Sequence, residues 1–364
     1  MTANRSRLVC GTLQLVTGLG VGGAERVVLG LARGLAARGE PVAIAVINGE
    51  ERRLLEQYPE MSSGIEFLGA RRESLLSLIV ATVRLVRLVR DRDIKIIHAH
   101  MFHALVLALV ARLLVPGTRV VFTSHSFSGF SGMRERLIRM TRKWRDADVV
   151  FSPLQHPGLN TERTVVIPNG VVALDEPVIR QPRSDGGFVF LAVGRLDAPK
   201  DPERVVAALA AMHCRHCEAW FAGEGPLRED IVALAQRLGV ADRVKLLGVR
   251  KDVPQLLQQA DCLVMPSRWE GLPMALLEAG SSGIPVIATG VGAIPEVLGG
   301  GCGYVKEPAQ FAAAMDYVIE HYDEALAAGS RLRLRVDETY SLDSMVNAHT
   351  SLYRALVGLP VSVA

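Results

Sequence analysis

The 364 residues are 49% hydrophobic and 22% charged, an ordinary globular balance that excludes a disordered chain and, at roughly 150 residues per domain, suggests two domains. No run reaches about 18 uninterrupted apolar residues, so no obvious membrane span is present. The net charge of +3 conceals a split: residues 1–170 carry 23 Lys and Arg against 14 Asp and Glu, and residues 171–364 carry 18 against 24. The two halves are therefore expected to meet different partners.

In chain order, Leu8–Val16 reads as a strand, because Thr12 and Gln14 interrupt it too early for a signal-peptide core. Gly18-Leu19-Gly20-Val21-Gly22-Gly23-Ala24-Glu25 follows and opens a helix over Glu25–Arg38, where Val27, Val28, Leu31 and Leu35 share a face. Backbone N–H groups at such a helix start can hold a phosphate. The segment also matches the G-x-G-x-x-G dinucleotide fingerprint, which wants an acidic residue about 20 positions on. Glu40 comes before the next strand and Asn48-Gly49-Glu50 after it, so a phosphate loop and a plain glycine turn both remain open. Val42–Ile47, Ile94–Ile97, Val120–Phe122 and Val149–Phe151 read as buried strands, with helices near Leu75–Arg90, Leu105–Leu114 and Arg134–Arg145.

Asp175–Gly187, rich in Pro, Ser and Gly, reads as a linker. A second series follows: strands Phe188–Val193, Trp220–Ala222, Val244–Leu247, Cys262–Met265 and Val286–Ala288, with helices near Glu203–Met212, Leu227–Leu238, Val253–Gln259 and Met274–Ser281. Repeated β-α units imply parallel sheets, with ligands in a cleft at the carboxyl ends of the strands. There Val193-Gly194-Arg195-Leu196 and Lys200 place two cations beyond the first strand, a pair suited to a diphosphate. Pro266-Ser267-Arg268-Trp269-Glu270-Gly271-Leu272-Pro273-Met274 leads into a helix that carries Glu278. Pro273 suits that helix's first turn. One carboxylate can bond sugar hydroxyls and the other ribose hydroxyls.

These segments, with Ile167-Pro168-Asn169-Gly170, Gly223-Glu224-Gly225-Pro226 and Gly290-Val291-Gly292-Ala293-Ile294-Pro295-Glu296, resemble the retaining GT-B glycosyltransferases of family 4 over nearly the whole chain. The resemblance implies an α/β fold of two Rossmann-like domains whose parallel sheets face across a cleft. Residues 1–174 would form the acceptor-side domain, with a C-terminal helix near 341–358 packing back on it, 175–187 the linker, and 188–340 the nucleotide-sugar domain. It implies catalytic roles for Arg195, Lys200, Glu270 and His125: the two cations clamp the donor diphosphate, Glu270 lines the sugar site, and His125 lies near the sugar's reacting face. It implies substrate binding by Gly22 and Gly23 (diphosphate), Glu278 (ribose), and Gly271, Leu272 and Met274 (sugar). Arg250, in the loop 248–252, is expected near the base. The implied reaction moves a sugar from a nucleoside-diphosphate sugar to a lipid-linked or polysaccharide acceptor, in bacterial surface polysaccharide or glycolipid synthesis. It needs neither metal nor cofactor, and the departing phosphate takes the acceptor's proton. A nucleotide-sugar epimerase of the same fold and a non-catalytic nucleotide-sugar binder are the alternatives.

Other motifs are weighed alongside. Asp91-Arg92-Asp93 and Asp146-Ala147-Asp148 look like metal-binding D-x-D pairs but sit at the wrong end of a parallel sheet. His213-Cys214-Arg215-His216-Cys217 lacks a second ligand pair for zinc, and the five scattered cysteines fit a reducing cytoplasm. His98, His100 and His103 cluster at a strand end, in an acceptor-lining or a structural role. Arg134–Arg145 carries six basic residues against Glu135, with Met133, Leu137, Met140 and Trp144 at helical spacing. Two readings stand for it: peripheral contact with the inner face of an anionic membrane, or a helix whose apolar stripe is core. A nucleic-acid partner is disfavoured and none is expected, because no aromatic stacking set accompanies the charge.

Overall fold

In the computed structural model the described residues are 10–20, 22–48, 64–71, 74–125, 132–155, 161–174 and 187–360. The chain forms two compact units, Met1–Asn169 with Leu342–Ala364, and Gly170–Ser341.

The first unit runs β1 (Thr12–Val16), α1 (Gly23–Ala37), β2 (Val42–Val46), β3 (Ile65–Phe67), α2 (Leu75–Asp91), β4 (Ile96–His100), α3 (Phe102–Leu114), β5 (Arg119–Thr123), α4 (Gly132–Thr141), β6 (Ala147–Val150) and β7 (Thr164–Val166). Its seven strands are all parallel, in the order β3-β2-β1-β4-β5-β6-β7. Leu13, Leu15, Ile97, Ala99, Val120 and Phe122 are buried under α2 and α3 side chains such as Leu85, Val89, Leu105 and Ala108, which is why these strands read as unbroken apolar runs.

The second unit runs β8 (Phe188–Val193), α5 (Pro202–Ala211), β9 (Cys217–Ala222), α6 (Arg228–Arg237), β10 (Val244–Gly248), α7 (Val253–Gln259), β11 (Cys262–Met265), α8 (Met274–Ser281), β12 (Val286–Ala288), α9 (Ile294–Leu298), β13 (Tyr304–Val305), α10 (Phe311–Glu320) and α11 (Tyr322–Thr339). Its six parallel strands are ordered β10-β9-β8-β11-β12-β13. Gly280 lets α8 press against α11: a Cβ there would meet Val336 Cγ2 at 2.6 Å.

The last helix, α12 (Leu342–Leu356), belongs to the first unit. A Cβ on Gly34 of α1 would meet Val346 Cγ2 at 2.4 Å. Ion pairs Arg38–Asp343 at 2.7 Å and Arg354–Glu40 at 2.6 Å flank this seam. The chain enters and leaves the second unit side by side, where Val171 pairs with Ser341 and its N–H donates to Tyr340 O at 2.9 Å. Leu174 N donates to Ser281 Oγ at 3.1 Å and Leu174 O accepts from Arg333 at 2.7 Å. These bonds put 170–174 in the second unit, although the sequence reading assigns them to the first. The expected linker lies outside the described residues except for Gly187.

Other differences are local. The short strands β3, β7 and β13 and the helices α9, α10 and α11 are additional to the sequence expectation. The helix expected to reach Arg145 stops at Thr141 and tightens into a 3₁₀ turn over Arg142–Trp144. No described helix is long and apolar enough to cross a membrane.

Candidate active site

Each sheet reverses its strand order once, between β1 and β4 and between β8 and β11, and the loops beyond those strand ends are where an open α/β sheet binds ligands. In the second unit that position holds a small, open pocket lined by Gly194, Arg195, Leu196, Lys200, Pro266 and Ser267 with the strand ends beneath them. Its floor is built by close backbone packing. A Cβ on Gly223 would lie 1.7 Å from Gly194 O, and one on Gly225 2.2 Å from Leu196 O. The loops are then stitched by Leu196 N to Glu224 O and Leu227 N to Leu196 O, both at 3.0 Å. Glycine in Gly223-Glu224-Gly225 is thus what lets the Arg195 loop sit down on β9.

Two ion pairs occupy this end. Lys200 Nζ donates to Glu270 Oε1 at 2.5 Å, and Ser267 Oγ donates to the same oxygen at 2.6 Å. Thr289 Oγ1 holds Ser267 O in turn at 2.5 Å. Arg195 pairs with Asp197 at 2.6 Å while its side chain remains 70% exposed. Asp197 Oδ1 is buried with no hydrogen-bond partner among the described residues. Asp201 is buried in the left-handed region (φ 48°) and spans Arg204 at 3.4 Å and Arg268 at 3.2 Å. With Arg268 N donating to Pro199 O at 2.8 Å, it ties the Lys200 loop to the Glu270 loop. The sequence motifs contain Asp197, Asp201 and Ser267, but the sequence reading gives none of them a role of its own. An Asp directly after the clamp lysine was the available signal, since Asp tolerates φ > 0.

The remaining predicted donor residues have distinct placements. Gly271 O accepts from Ala293 N at 3.0 Å, and Gly292 (φ 59°) packs so tightly that a Cβ would meet Glu270 O at 2.5 Å and Gly271 O at 2.6 Å. Leu272 is buried, Met274 opens α8, and Glu278 lies one turn further in. Pro273 is the extended residue before α8 (ψ 125°) rather than part of its first turn. Arg250 follows the edge strand β10, is ion-paired to Asp252, and is not among the pocket's lining residues.

In the first unit, Gly22 is the extended residue before α1 and Gly23 its first residue. Glu25 folds back over Gly22, where a Cβ would meet Oε2 at 2.4 Å. The strand ends beside this loop carry a chain of buried polar groups. His100 Nε2 meets Gln14 Oε1 at 2.9 Å and His100 Nδ1 meets His125 Nε2 at 3.0 Å. Gln14 Nε2 donates to Tyr353 Oη at 3.3 Å, and His98 joins Tyr353 Oη at 2.6 Å and Thr123 Oγ1 at 2.7 Å. Burial, reinforced by the neighbouring imidazoles, holds His98 and His100 well below the ordinary 6.5. Burial pushes His125 and His349 down to about 4. His103 is exposed on the first turn of α3, apart from the buried pair. Gln14 and Tyr353 had gone unrecognised; a lone Gln inside an apolar strand was the signal.

Three of the four D-x-D carboxylates are held in ion pairs. Asp146 holds Arg112, Arg119 and the Val120 N–H; Asp148 holds Arg145; Asp93 pairs with Lys95. The His213–Cys217 loop is fixed by Asp316, which accepts from the His213 and Cys214 N–H groups. No group of three or more His, Cys, Asp or Glu that could hold a metal occurs among the described residues.

The family model Glycosyltransferase Family 4 matches residues 21–173, and Glycosyl transferases group 1 matches 187–321. The chain belongs to glycosyltransferase family 4. This glycosyltransferase is 28% identical over 254 residues to the UDP-Gal:alpha-D-GlcNAc-diphosphoundecaprenol alpha-1,3-galactosyltransferase of Escherichia coli, across 61% of this chain and 64% of that one. It is 26% identical over 362 residues to the N-acetyl-alpha-D-glucosaminyl L-malate synthase of Bacillus anthracis, across 92% and 94%. Among solved structures, Anabaena Alr3699/HepE in complex with UDP superposes with a TM-score of 0.81 at 21% identity, covering 95% of this chain and 100% of that one. WaaG, a glycosyltransferase involved in lipopolysaccharide biosynthesis, gives 0.70 at 18%, covering 94% and 99%. The fold of the family 4 enzyme is therefore GT-B, two parallel-sheet Rossmann-like units.

The surface of the first unit is unusual in one respect. Leu76, Ile79, Val80 and Val83 of α2 and Val106, Val110 and Leu113 of α3 are exposed, with Arg84, Arg87 and Arg90 beside them. On α4 and its 3₁₀ turn, Met133, Leu137, Met140 and Trp144 are exposed as well. That rules out the core reading of this stripe. The basic count needs correction too: Arg145 is buried, donating to Asp148 at 2.5 Å and to Ile138 O at 2.7 Å, and Arg139 is paired with Glu135 at 2.9 Å.

Proposed function

We propose that this chain is a retaining, metal-independent glycosyltransferase that moves a sugar from a nucleoside-diphosphate sugar to a lipid-linked or polysaccharide acceptor, in bacterial surface polysaccharide or glycolipid synthesis. The observation that carries the reading is the pairing of Arg195 and Lys200 at the strand-order reversal of the second sheet. A departing nucleoside diphosphate gains negative charge as the glycosidic bond breaks, and preorganised cations stabilise that charge without a divalent ion. Arg195 offers a fork to phosphate oxygens and Lys200 a point charge. In this reading the phosphate replaces carboxylates as partner to both cations, which leaves Glu270 and the Gly271–Leu272 backbone to the sugar and Glu278 to the ribose. His125 meets the sugar, Gly22 and Gly23 the diphosphate, and the departing phosphate oxygen takes the acceptor's proton.

A lipid-linked acceptor is supported by the apolar and basic surface of α2, α3 and α4, which suits reversible contact with an anionic bilayer. The Escherichia coli relative is named for a diphosphoundecaprenol-linked substrate and UDP-Gal, and the Anabaena structure holds UDP. UDP-sugars are thus the first donors to test. Purified protein would be incubated with radiolabelled UDP- or GDP-sugars and an undecaprenyl-diphosphate-linked acceptor, with and without EDTA. Transfer with retained anomeric configuration, unaffected by EDTA, is expected. Epimerised sugar without transfer, or activity abolished by EDTA and restored by Mn²⁺, overturns the reading. Thermal shift with UDP and with GDP identifies the base, since ligand binding to the folded state raises its melting temperature.

A further inference from the structure

The chain of polar groups running from α12 to His125 has a direction. Gln14 sits in the middle of β1 with no solvent exposure, so its amide must satisfy both ends inside the protein. Its Oε1 can only accept, so His100 must carry its proton on Nε2 to bond it at 2.9 Å. The His98 and His100 rings are both buried, tilted by 35° with centroids 4.1 Å apart, and two imidazoles this close in a dry site disfavour charging either one. A neutral imidazole has one N–H, so His100 Nδ1 is an acceptor, and the partner facing it at 3.0 Å, His125 Nε2, must be the donor. On the other side Gln14 Nε2 donates to Tyr353 Oη, the phenol donates to His98 Nδ1, and His98 Nε2 donates to Thr123 Oγ1. Each donor along the chain meets an acceptor, and the Gln14 amide sets the sense for both arms.

We infer that Gln14 and Tyr353 are positioning residues that lock His125 as its Nε2–H tautomer, so that Nδ1 presents a lone pair. Such a nitrogen accepts from a hydroxyl and repels carbonyl, carboxylate or phosphate oxygens. The consequence for turnover rests on the reading above that His125 meets the donor sugar: the imidazole then selects a sugar hydroxyl as its partner. Tyr353 arrives from α12, at the far end of the chain from Gln14, so the tautomer of a residue after β5 depends on a helix that forms last in sequence.

The experiment is two-bond ¹H–¹⁵N correlation on the full-length chain labelled at histidine, with His125 assigned from His125→Ala. Wild type should show a protonated Nε2 and a bare Nδ1 at His125. Tyr353→Phe removes the acceptor of Gln14 Nε2, which frees the amide to flip and donate to His100 instead. The resulting reversal should place a proton on His125 Nδ1 in a measurable fraction of molecules. The same variant should lower kcat about tenfold, the scale of one lost hydrogen bond in the transition state, with KM for the donor little changed. Gln14→Leu should do the same, and Tyr353→Phe keeps the test available if Gln14→Leu fails to fold. A proton on Nδ1 in wild type, or an unchanged His125 tautomer in a folded Tyr353→Phe, overturns the inference. Wild-type turnover by His125→Ala, with the tautomers as stated, instead overturns the assignment of His125 to the sugar.

Discussion

The two sheets end in polar clusters of opposite design. At the end of the second sheet the chemistry is ionic: Lys200 with Glu270 and Arg195 with Asp197, with the Arg195 side chain largely in water. At the end of the first sheet it is neutral: imidazoles, an amide, a phenol and a hydroxyl hold one another in a buried line. Arg195, largely in water, is held by Asp197 weakly enough to exchange it for a phosphate. A buried neutral network is costly to disturb, because each lost bond strands a desolvated group. One cluster is built to swap partners, the other to keep them.

Acid should separate the two most strongly. His125 and His349 titrate near 4 when folded and near 6.5 when free. Between those values the unfolded chain binds more protons, so stability is complete above about pH 6.5 and is lost as pH falls towards 4. Each of the two histidines removes about 3 kcal/mol by the end of that window, a large share of a typical domain's 5–15 kcal/mol. Urea midpoints at pH 7, 6, 5 and 4.5 should fall steeply, with the His-containing unit melting first. Midpoints flat across that range would erase the contrast between the clusters.

Removing the exchangeable charges should spare the fold and cripple the reaction. Arg195→Ala and Lys200→Ala are each expected to lower kcat by about 100-fold or more, with melting temperatures close to wild type. Near-normal turnover in both folded variants would falsify the diphosphate clamp. A smaller effect belongs to the backbone that supports Glu270. Gly292→Ala puts a Cβ against two carbonyl oxygens at positive φ and should cost about 2 kcal/mol of stability. Differential scanning fluorimetry would detect it, and an unshifted transition would mean the loop is free to move aside.

The smallest expected effect lies on the first unit's surface. Glu at Arg136 and Arg142 should weaken binding to anionic vesicles by at most about 1 kcal/mol per residue, and salt should weaken it in wild type too. Co-sedimentation with anionic and neutral liposomes gives the answer. Equal binding to both vesicle types would remove electrostatics from the membrane reading.

Much of this was legible in the sequence. Cys262–Met265, Val286–Ala288 and Phe188–Val193 were readable as strands because both of their faces are buried, so nothing polar interrupts them. The edge strands β3 and β7 carry only three residues each, too few for a period to show. The donor cations were legible because they follow a strand in a compact motif. The Gln14–Tyr353 line was not, because its members are 339 positions apart and each looks like an isolated polar residue in an apolar element. Arg145 misled for a related reason: a basic residue near a helix end looks solvated until it is seen to be buried against the carboxylate three positions on.

The seam between α1 and α12 bears on how the molecule is made. The second unit is one continuous stretch and can finish folding as it leaves the ribosome. The first unit is interrupted: Gly34, Glu40 and His98 wait for Val346, Arg354 and Tyr353, which are synthesised only after the whole of the other unit. At roughly 5–20 residues per second that delay is on the order of tens of seconds. During it the groove that α12 will fill stands open on a nascent sheet, so chaperone engagement during synthesis should concentrate on the half of the protein that was translated first.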